Sequence, residues 1–186
     1  MMRIITGTAR SIRLETLEGE TTRPTPERVK EAVFSMIQFD IEGRKVLDLF
    51  AGSGQLGLEA LSRGAASATL CDADADAFEI IKRNAQKTKL FDRCRLLKND
   101  YKPLLAGFAG KEKFDIIFLD PPYKSDLLAD ALKRIDYLGL LSDNGIVICE
   151  NETPEPMTAE HYSLVRFAKY GRVCITLLQK ENKEAE

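Results

Sequence analysis

The sequence predicts an α/β fold in which a parallel sheet, covered by helices on both faces, ends in an antiparallel hairpin, seven strands in all. Three observations lead there. Between residues 45 and 149, short apolar runs alternate with stretches of helical periodicity, the pattern of parallel strands joined by crossover helices. The first of those runs ends in a glycine-rich turn of the kind that feeds a strand into a helix. Beyond residue 160 the alternation stops, and two strand-like runs follow one another with no helical stretch between them.

Taken in order, Lys45-Val46-Leu47-Asp48-Leu49-Phe50 reads as the first buried strand, with a helix over 55–63 after its turn. Residues 68–71 form the second strand, and the next helix sets Phe78, Ile81 and Ala85 at helical spacing. Residues 95–97 are a short third strand. Residues 114–119 are the fourth, followed by a helix that buries Leu128, Ala131, Leu132 and Ile135, and 145–149 are the fifth. The hairpin takes 162–168 and 173–178, joined through Tyr170-Gly171.

Residues 1–40 read as an appendage of one domain whose core is 41–180, with 181–186 a fraying charged tail. Within the appendage, 3–6 and 12–16 can form a small hairpin about Gly7. Thr25 is a candidate N-cap with Pro26 at the first helical position. Val29, Ala32, Val33, Met36 and Ile37 then repeat as one apolar stripe, which packs on the main sheet.

Composition removes several classes of function. With 186 residues, 44% hydrophobic and 30% charged, the chain is neither disordered nor collagen-like nor a coiled coil. No apolar run nears the ~20 residues of a membrane helix, and the first residues lack a signal-peptide core, so a cytoplasmic location is expected. Cys71, Cys94, Cys149 and Cys174 are widely separated, with no His cluster beside them, so neither a disulfide framework nor a metal site is expected. The single histidine, His161, falls in an irregular stretch and gives acid–base catalysis no support. A net charge of −2 argues against general nucleic-acid affinity. Residues 1–30 nevertheless hold six basic and four acidic side chains, with Arg3, Arg10 and Arg13 ahead of the first acid. Phosphate attraction is local at physiological salt, so a basic N-terminus on an acidic body is compatible with a nucleic-acid footprint.

Two motifs carry chemistry. Asp48-Leu49-Phe50-Ala51-Gly52-Ser53-Gly54-Gln55-Leu56-Gly57 contains G-x-G-x-x-G between a strand and a helix, and Asp72 ends the next strand. Glycines let backbone approach a ligand closely, and a strand-end carboxylate can accept both hydroxyls of a ribose. A dinucleotide and S-adenosylmethionine both fit that description. Asp48 favours the second, because a pyrophosphate wants helix amides and no nearby negative charge, whereas an amino-acid ligand brings an ammonium. The C-terminal hairpin points the same way, since a dinucleotide fold continues with parallel strands.

The second motif, Asp120-Pro121-Pro122-Tyr123, directly follows the fourth strand, at the sheet edge where open α/β folds bind ligands. It suits methylation of a planar exocyclic amine, whose lone pair is delocalised into its ring. Hydrogen bonds from that amine to Asp120 and to a loop carbonyl such as that of Pro121 would favour a tetrahedral nitrogen and hold it in line. Tyr123 can stack on the base, which must be unstacked or single-stranded to be reached.

Three segments narrow the match. They are Arg3-Ile4-Ile5-Thr6-Gly7 with Arg10 and Arg13, Thr22-Arg23-Pro24-Thr25 with Arg28 and Lys30 after it, and Asp48 to Gly57 running on through Glu59-Ala60-Leu61-Ser62-Arg63-Gly64-Ala65. With Asp120-Pro121-Pro122-Tyr123, they resemble the RsmD-type family of bacterial small-subunit (16S) rRNA guanine-N2 methyltransferases. The resemblance implies a Rossmann-like, seven-stranded class I methyltransferase fold that uses S-adenosylmethionine. It implies that Asp48, Ala51, Gly52 and Gly54 meet the methionine portion, Asp72 the ribose and Asp100 the adenine, with Phe50 and Ala73 in the same cofactor set. Asp120, Pro121, Pro122 and Tyr123 become the catalytic set. Arg23 and Thr25 border the pocket, and Arg3, Arg10, Arg13, Arg23 and Arg28 face RNA. One departure is Asp72, where the family often carries Glu; the shorter acid still reaches a ribose.

The implied substrate is small-subunit ribosomal RNA, within a ribosomal particle whose bound proteins help to present the base. The implied protein is a monomer that needs no metal or membrane. The rivals are an amino-methyltransferase for adenine N6 or protein glutamine, an NAD-dependent oxidoreductase, and an RNA-binding module without catalysis. The first more often has Asn at the head of the tetrad and needs a target-recognition segment. The last would need neither motif.

Overall fold

The computed structural model describes residues 2–17, 26–122 and 126–181. Its centre is a sheet of seven strands: β1 (Lys45–Asp48), β2 (Ser67–Asp72), β3 (Cys94–Lys98), β4 (Phe114–Leu119), β5 (Leu141–Asn151), β6 (Tyr162–Tyr170) and β7 (Val173–Lys180). They lie in the order β3-β2-β1-β4-β5-β7-β6. The first five are parallel, and β7 runs antiparallel between β5 and β6. The chain builds outward from β1 to β3, then returns to β4 on the other flank of β1. That reversal opens a crevice at the carboxyl ends of β1 and β4.

Period-2 alternation sends the two faces of each strand into separate cores. Val46, Ile116, Phe118, Ile146 and Ile148 pack with α1 (Glu27–Met36), α2 (Gln55–Ser62) and α3 (Ala75–Lys87). Leu47, Leu49, Ile117, Leu119 and Val147 pack with α4 (Tyr101–Phe108) and α5 (Leu127–Tyr137). Both faces are covered, as near-continuous apolar strands require.

Most elements fall where periodicity puts them. The fourth strand has the expected bounds, and Leu128, Ala131, Leu132 and Ile135 are all buried under α5. Helix α4 is an addition. It contains Pro103, but as the third helical residue, where the missing N–H has no intrahelical partner to lose. Strand β5 starts at Leu141 because Leu141 pairs with Phe114 before a register shift leads to the Ile116–Ile146 pair. The start of α1 also differs. Pro26 is its N-cap, with extended ψ of 141°, and its carbonyl accepts from Val29 N and Lys30 N. Thr25 lies outside the described residues. The buried face of α1 is Val29, Lys30, Val33, Phe34 and Ile37, so the stripe is rotated toward Phe34, whose ring packs 5.7 Å from that of Phe118.

The N-terminal segment turns back through one antiparallel bridge, Arg3 with Arg13, supported by Ile4 N to Ile12 O and Leu14 N to Met2 O, both 3.0 Å. It is fastened to α2 by Glu59, which is fully buried. The Glu59 carboxylate accepts from Ile5 N (2.8 Å), Thr6 N (3.0 Å) and Arg63 Nε (2.8 Å). Lys30 Nζ lies 3.4 Å from the same carboxylate and donates to Arg3 O at 2.5 Å. Removing one member of such a buried pair leaves the other charge uncompensated, at a cost of about 3–5 kcal/mol.

Candidate active site

The two motif loops leave adjacent central strands at the same level. Asp48 pairs with Phe118 across β1 and β4, and Leu49 N donates to Phe118 O at 3.3 Å. The glycine loop then leans on β2, with Ala51 N donating to Cys71 O (2.9 Å) and Gly52 N to Asp72 Oδ2 (2.8 Å). Gly52 and Gly54 have φ of +55° and +78°, a left-handed region that side chains strain to adopt. Gly54 is the N-cap of α2. Gly57 serves packing instead: a Cβ there would sit 2.9 Å from Leu70 Cδ2 and 3.4 Å from Asp48 Cβ. The helix can approach the sheet this closely only without that carbon.

Asp48 is buried, and its Oδ2 accepts from Gly57 N at 2.9 Å. Burial pushes its carboxyl up to about 7, with the charge of Asp72 adding to the rise and the Gly57 bond opposing it. Asp72 is half-buried; beyond Gly52 N it accepts from Asp74 N through Oδ1 (2.9 Å), and each oxygen keeps another lone pair. Two carboxylates flanking one glycine loop make the crevice a place for a cation and for hydroxyl donors, and a poor one for pyrophosphate. Gln55 Oε1, in the first turn of α2, is buried with no partner among the described residues, a second acceptor for such a ligand.

The remaining candidate positions divide. Ala51 is buried and Ala73 exposed in the two loops. The ring of half-buried Phe50 lies 5.5 Å from that of Tyr101, whose hydroxyl donates to Asp130 Oδ2 at 2.6 Å, so Phe50 ties the glycine loop to α4 and α5. Asp100 caps α4, accepting from Lys102 N at 2.9 Å, and is exposed. Asp120 is half-buried, Pro121 buried and Pro122 exposed, immediately after β4. Tyr123 and Arg23 lie outside the described residues.

The arginines are spread along the molecule. Arg3 pairs with Glu27 (2.7 Å). Arg13 faces it across the bridge, and Arg28 is exposed in the first turn of α1. Ala9 N donates to Ser62 Oγ, so Arg10 sits at the far end of α2, roughly 10 Å from the glycine loop at 1.5 Å per helical residue.

Besides Gln55, sequence reading missed Asn84. It is fully buried on α3; its Nδ2 donates to Ser53 O (2.9 Å) and Glu15 O (3.0 Å), and its Oδ1 accepts from Glu15 N (2.8 Å). The signal was an amide on the apolar face of α3, beside Ile80 and Ile81 in helical projection. Cysteine chemistry finds no support: burial pushes the Cys71 and Cys149 thiols up to about 12. His161 is exposed, with Nδ1 2.8 Å from Asp136 Oδ2. Among the described residues no group of His, Cys, Asp and Glu could hold a metal, and no helix is long and apolar enough to cross a membrane.

Known proteins match nearly the whole chain. Residues 2–179 match the family model described as "Conserved hypothetical protein 95". A Bacillus subtilis protein named "Putative rRNA methyltransferase YlbH" is 37% identical over 182 residues, 96% of this chain and 99% of that protein. "Ribosomal RNA small subunit methyltransferase D" of Escherichia coli is 34% identical, over 97% of this chain and 90% of that one. A solved structure described as "Putative methyltransferase yhhF from Escherichia coli" superposes with a TM-score of 0.86 at 34% identity, covering 97% of this chain and 98% of the other. The seven-stranded sheet with its antiparallel end is thus the Rossmann-like class I methyltransferase fold.

Proposed function

The chain belongs to the conserved hypothetical protein 95 family, the RsmD-type methyltransferases, and we propose that it transfers a methyl group from S-adenosylmethionine to the exocyclic N2 amine of a guanine in small-subunit ribosomal RNA. One observation carries the reading: the Asp48–Gly57 loop and Asp120-Pro121-Pro122 leave neighbouring strands side by side at the switch point of the sheet. A donor site and an amine-binding site are thereby adjacent. The relatives named for small-subunit rRNA supply the substrate class.

The residues fit the donor. Buried Asp48, helped by the orphaned Gln55 carbonyl, holds an ammonium; Asp72 holds ribose hydroxyls while fixing Gly52; Phe50, Ala51, Ala73 and Asp100 line the rest. S-adenosylmethionine would supply a methyl group already activated on a sulfonium: transfer breaks the S–CH3 bond, S-adenosylhomocysteine leaves as a neutral thioether, and the one proton the nitrogen then sheds passes by way of Asp120 to water, so no metal or strong base is needed. Asp120 accepts from the guanine amine, the Pro121 carbonyl takes its other N–H, and both orient the nitrogen lone pair toward the donor loop. Tyr123 stacks on the flipped base. Arg3, Arg10, Arg13, Arg23 and Arg28 hold phosphates of an rRNA presented within a ribosomal particle, to a monomeric, cytoplasmic enzyme. In Asp120→Ala, methyl transfer to small-subunit particles falls by about a hundredfold or more while S-adenosylmethionine affinity stays near wild type. Retained transfer would contradict the assignment.

A further inference from the structure

The β6–β7 hairpin is a stretch of one-signed charge. From Tyr162 to Lys180 it carries Arg166, Lys169, Arg172 and Lys180 and no carboxylate, in a protein of net charge −2. Its two ends face different surroundings. Lys180, at the amino edge of the sheet, lies 3.3 Å from Asp143. At the other end, Lys169 and Arg172 are exposed and have no ion-pair partner among the described residues.

Strand register places that unpaired end on the candidate active-site edge. Leu119 pairs with Cys149 across β4 and β5, and Asn151 pairs with Cys174 across β5 and β7. Arg172 is two residues before Cys174, so the turn stands roughly 7 Å beyond the level of Pro121, at about 3.3 Å per residue. Tyr170 pairs with Val173 and Lys169 with Cys174, so the ladder holds the turn up to its last residues.

A third cation joins it from a different element. Arg28 Nη2 lies 3.5 Å from where a Cβ on Gly171 would be. Arg28 stands in the first turn of α1, where the helix dipole disfavours a cation, so helix stability does not explain it. Glu27 beside it is taken by Arg3, and exposed Glu31, one turn along, makes no ion pair with it. Tyr170 and Val173 pack on the α1 face, where Arg28 lies, while Lys169, paired with Cys174, points to the other face, so cations line both faces of the turn and offer a site for an anionic chain.

We infer that Lys169 and Arg172 of the β6–β7 turn, together with Arg28, form a phosphate-binding rim that grips the RNA strand on the β5–β7 side of the target base. This rests on the RNA reading above and adds to it a contact surface outside the N-terminal segment. The footprint then runs from Arg13 and Arg3, which is paired with Glu27 in the first turn of α1, through Arg28 to the β6–β7 turn.

The test is binding of small-subunit particles, from cells lacking the protein, to wild type and to a Lys169→Gln, Arg172→Gln double variant over a range of salt. Lys169, near the end of β6, and Arg172, in the turn, are both exposed, so the substitutions leave the core intact. Two lost phosphate contacts lower the slope of log affinity against log salt by roughly 1.5 and weaken binding about tenfold at physiological salt. Arg28→Gln moves both quantities in the same direction, and Lys133→Gln on the outer face of α5 moves neither. An unchanged affinity and slope in the double variant, or no binding of wild type to the particles, would overturn the rim. The methylated nucleoside formed by wild type is scored separately. Its absence counts against the proposed reaction, whatever the binding curves show.

Discussion

Asn84 and Ser53 are joined by a 2.9 Å hydrogen bond from the Asn84 amide to the Ser53 carbonyl, so the middle of the glycine loop is held by α3. The same amide grips Glu15 through both backbone groups. One fully buried side chain thereby fastens the N-terminal segment and the donor loop together, and Ser53 Oγ adds a 3.0 Å contact to Met2 Sδ.

Asn84→Ala leaves the Glu15 amide and the Ser53 carbonyl without their partner, a loss of about 1–3 kcal/mol. Thermal unfolding reads that loss. A merely structural role would stop there. Positioning of the loop adds a rise of several-fold in the S-adenosylmethionine Kd, which calorimetric titration below the melting range checks. Asn84→Asp keeps the acceptor for Glu15 N, loses both donations and shows the same rise.

Asp48 gives a pH signature. Burial pushes its carboxyl up to about 7 in the folded protein, well above its range in the unfolded chain. Between those values the native state binds the extra proton, so this group's contribution to stability falls as pH rises toward 7. Ligand binding runs the other way, because the ammonium wants the charged form, and affinity for S-adenosylmethionine climbs as pH passes about 7. Asp48→Asn is therefore more thermostable than wild type at mildly alkaline pH. It binds the donor about ten- to a hundredfold more weakly, the worth of a hydrogen bond to a charged group. Melting curves and titrations across pH read both trends; parallel trends would refute the assignment.

Gly57→Ala sets two effects against each other. Alanine favours the helix by about 1 kcal/mol. Its Cβ meets Leu70 Cδ2 at 2.9 Å and Cγ at 3.0 Å, and Leu70 is fully buried, so overpacking of about 1–3 kcal/mol wins. The melting temperature falls, and Leu70→Val in the same chain recovers part of it.

The strands and motif loops were legible because each is written locally. Phe114–Leu119 is one apolar run with turn signals at its ends, and the glycine pattern stands directly between an apolar run and a stretch of helical periodicity. What escaped depends on partners distant in sequence. Glu59 lies inside the apolar run of α2, and only the fold brings Ile5, Thr6 and Lys30 to it. Asn84 meets Glu15 from 69 positions away. Helix α4 was hidden by Pro103, which is harmless in a first turn capped by Asp100. The basic appendage was visible as composition, but its geometry was not: Arg10 sits at the far end of α2, while Arg28 reaches the β6–β7 turn.

Labelled-methyl transfer tests the reaction directly. Small-subunit particles from cells lacking the protein are incubated with enzyme and labelled S-adenosylmethionine, and the rRNA is digested to nucleosides. Label is expected in N2-methylguanosine and is lost with Asp120→Ala. Label in another nucleoside or in protein, or none with the donor still bound, would contradict it.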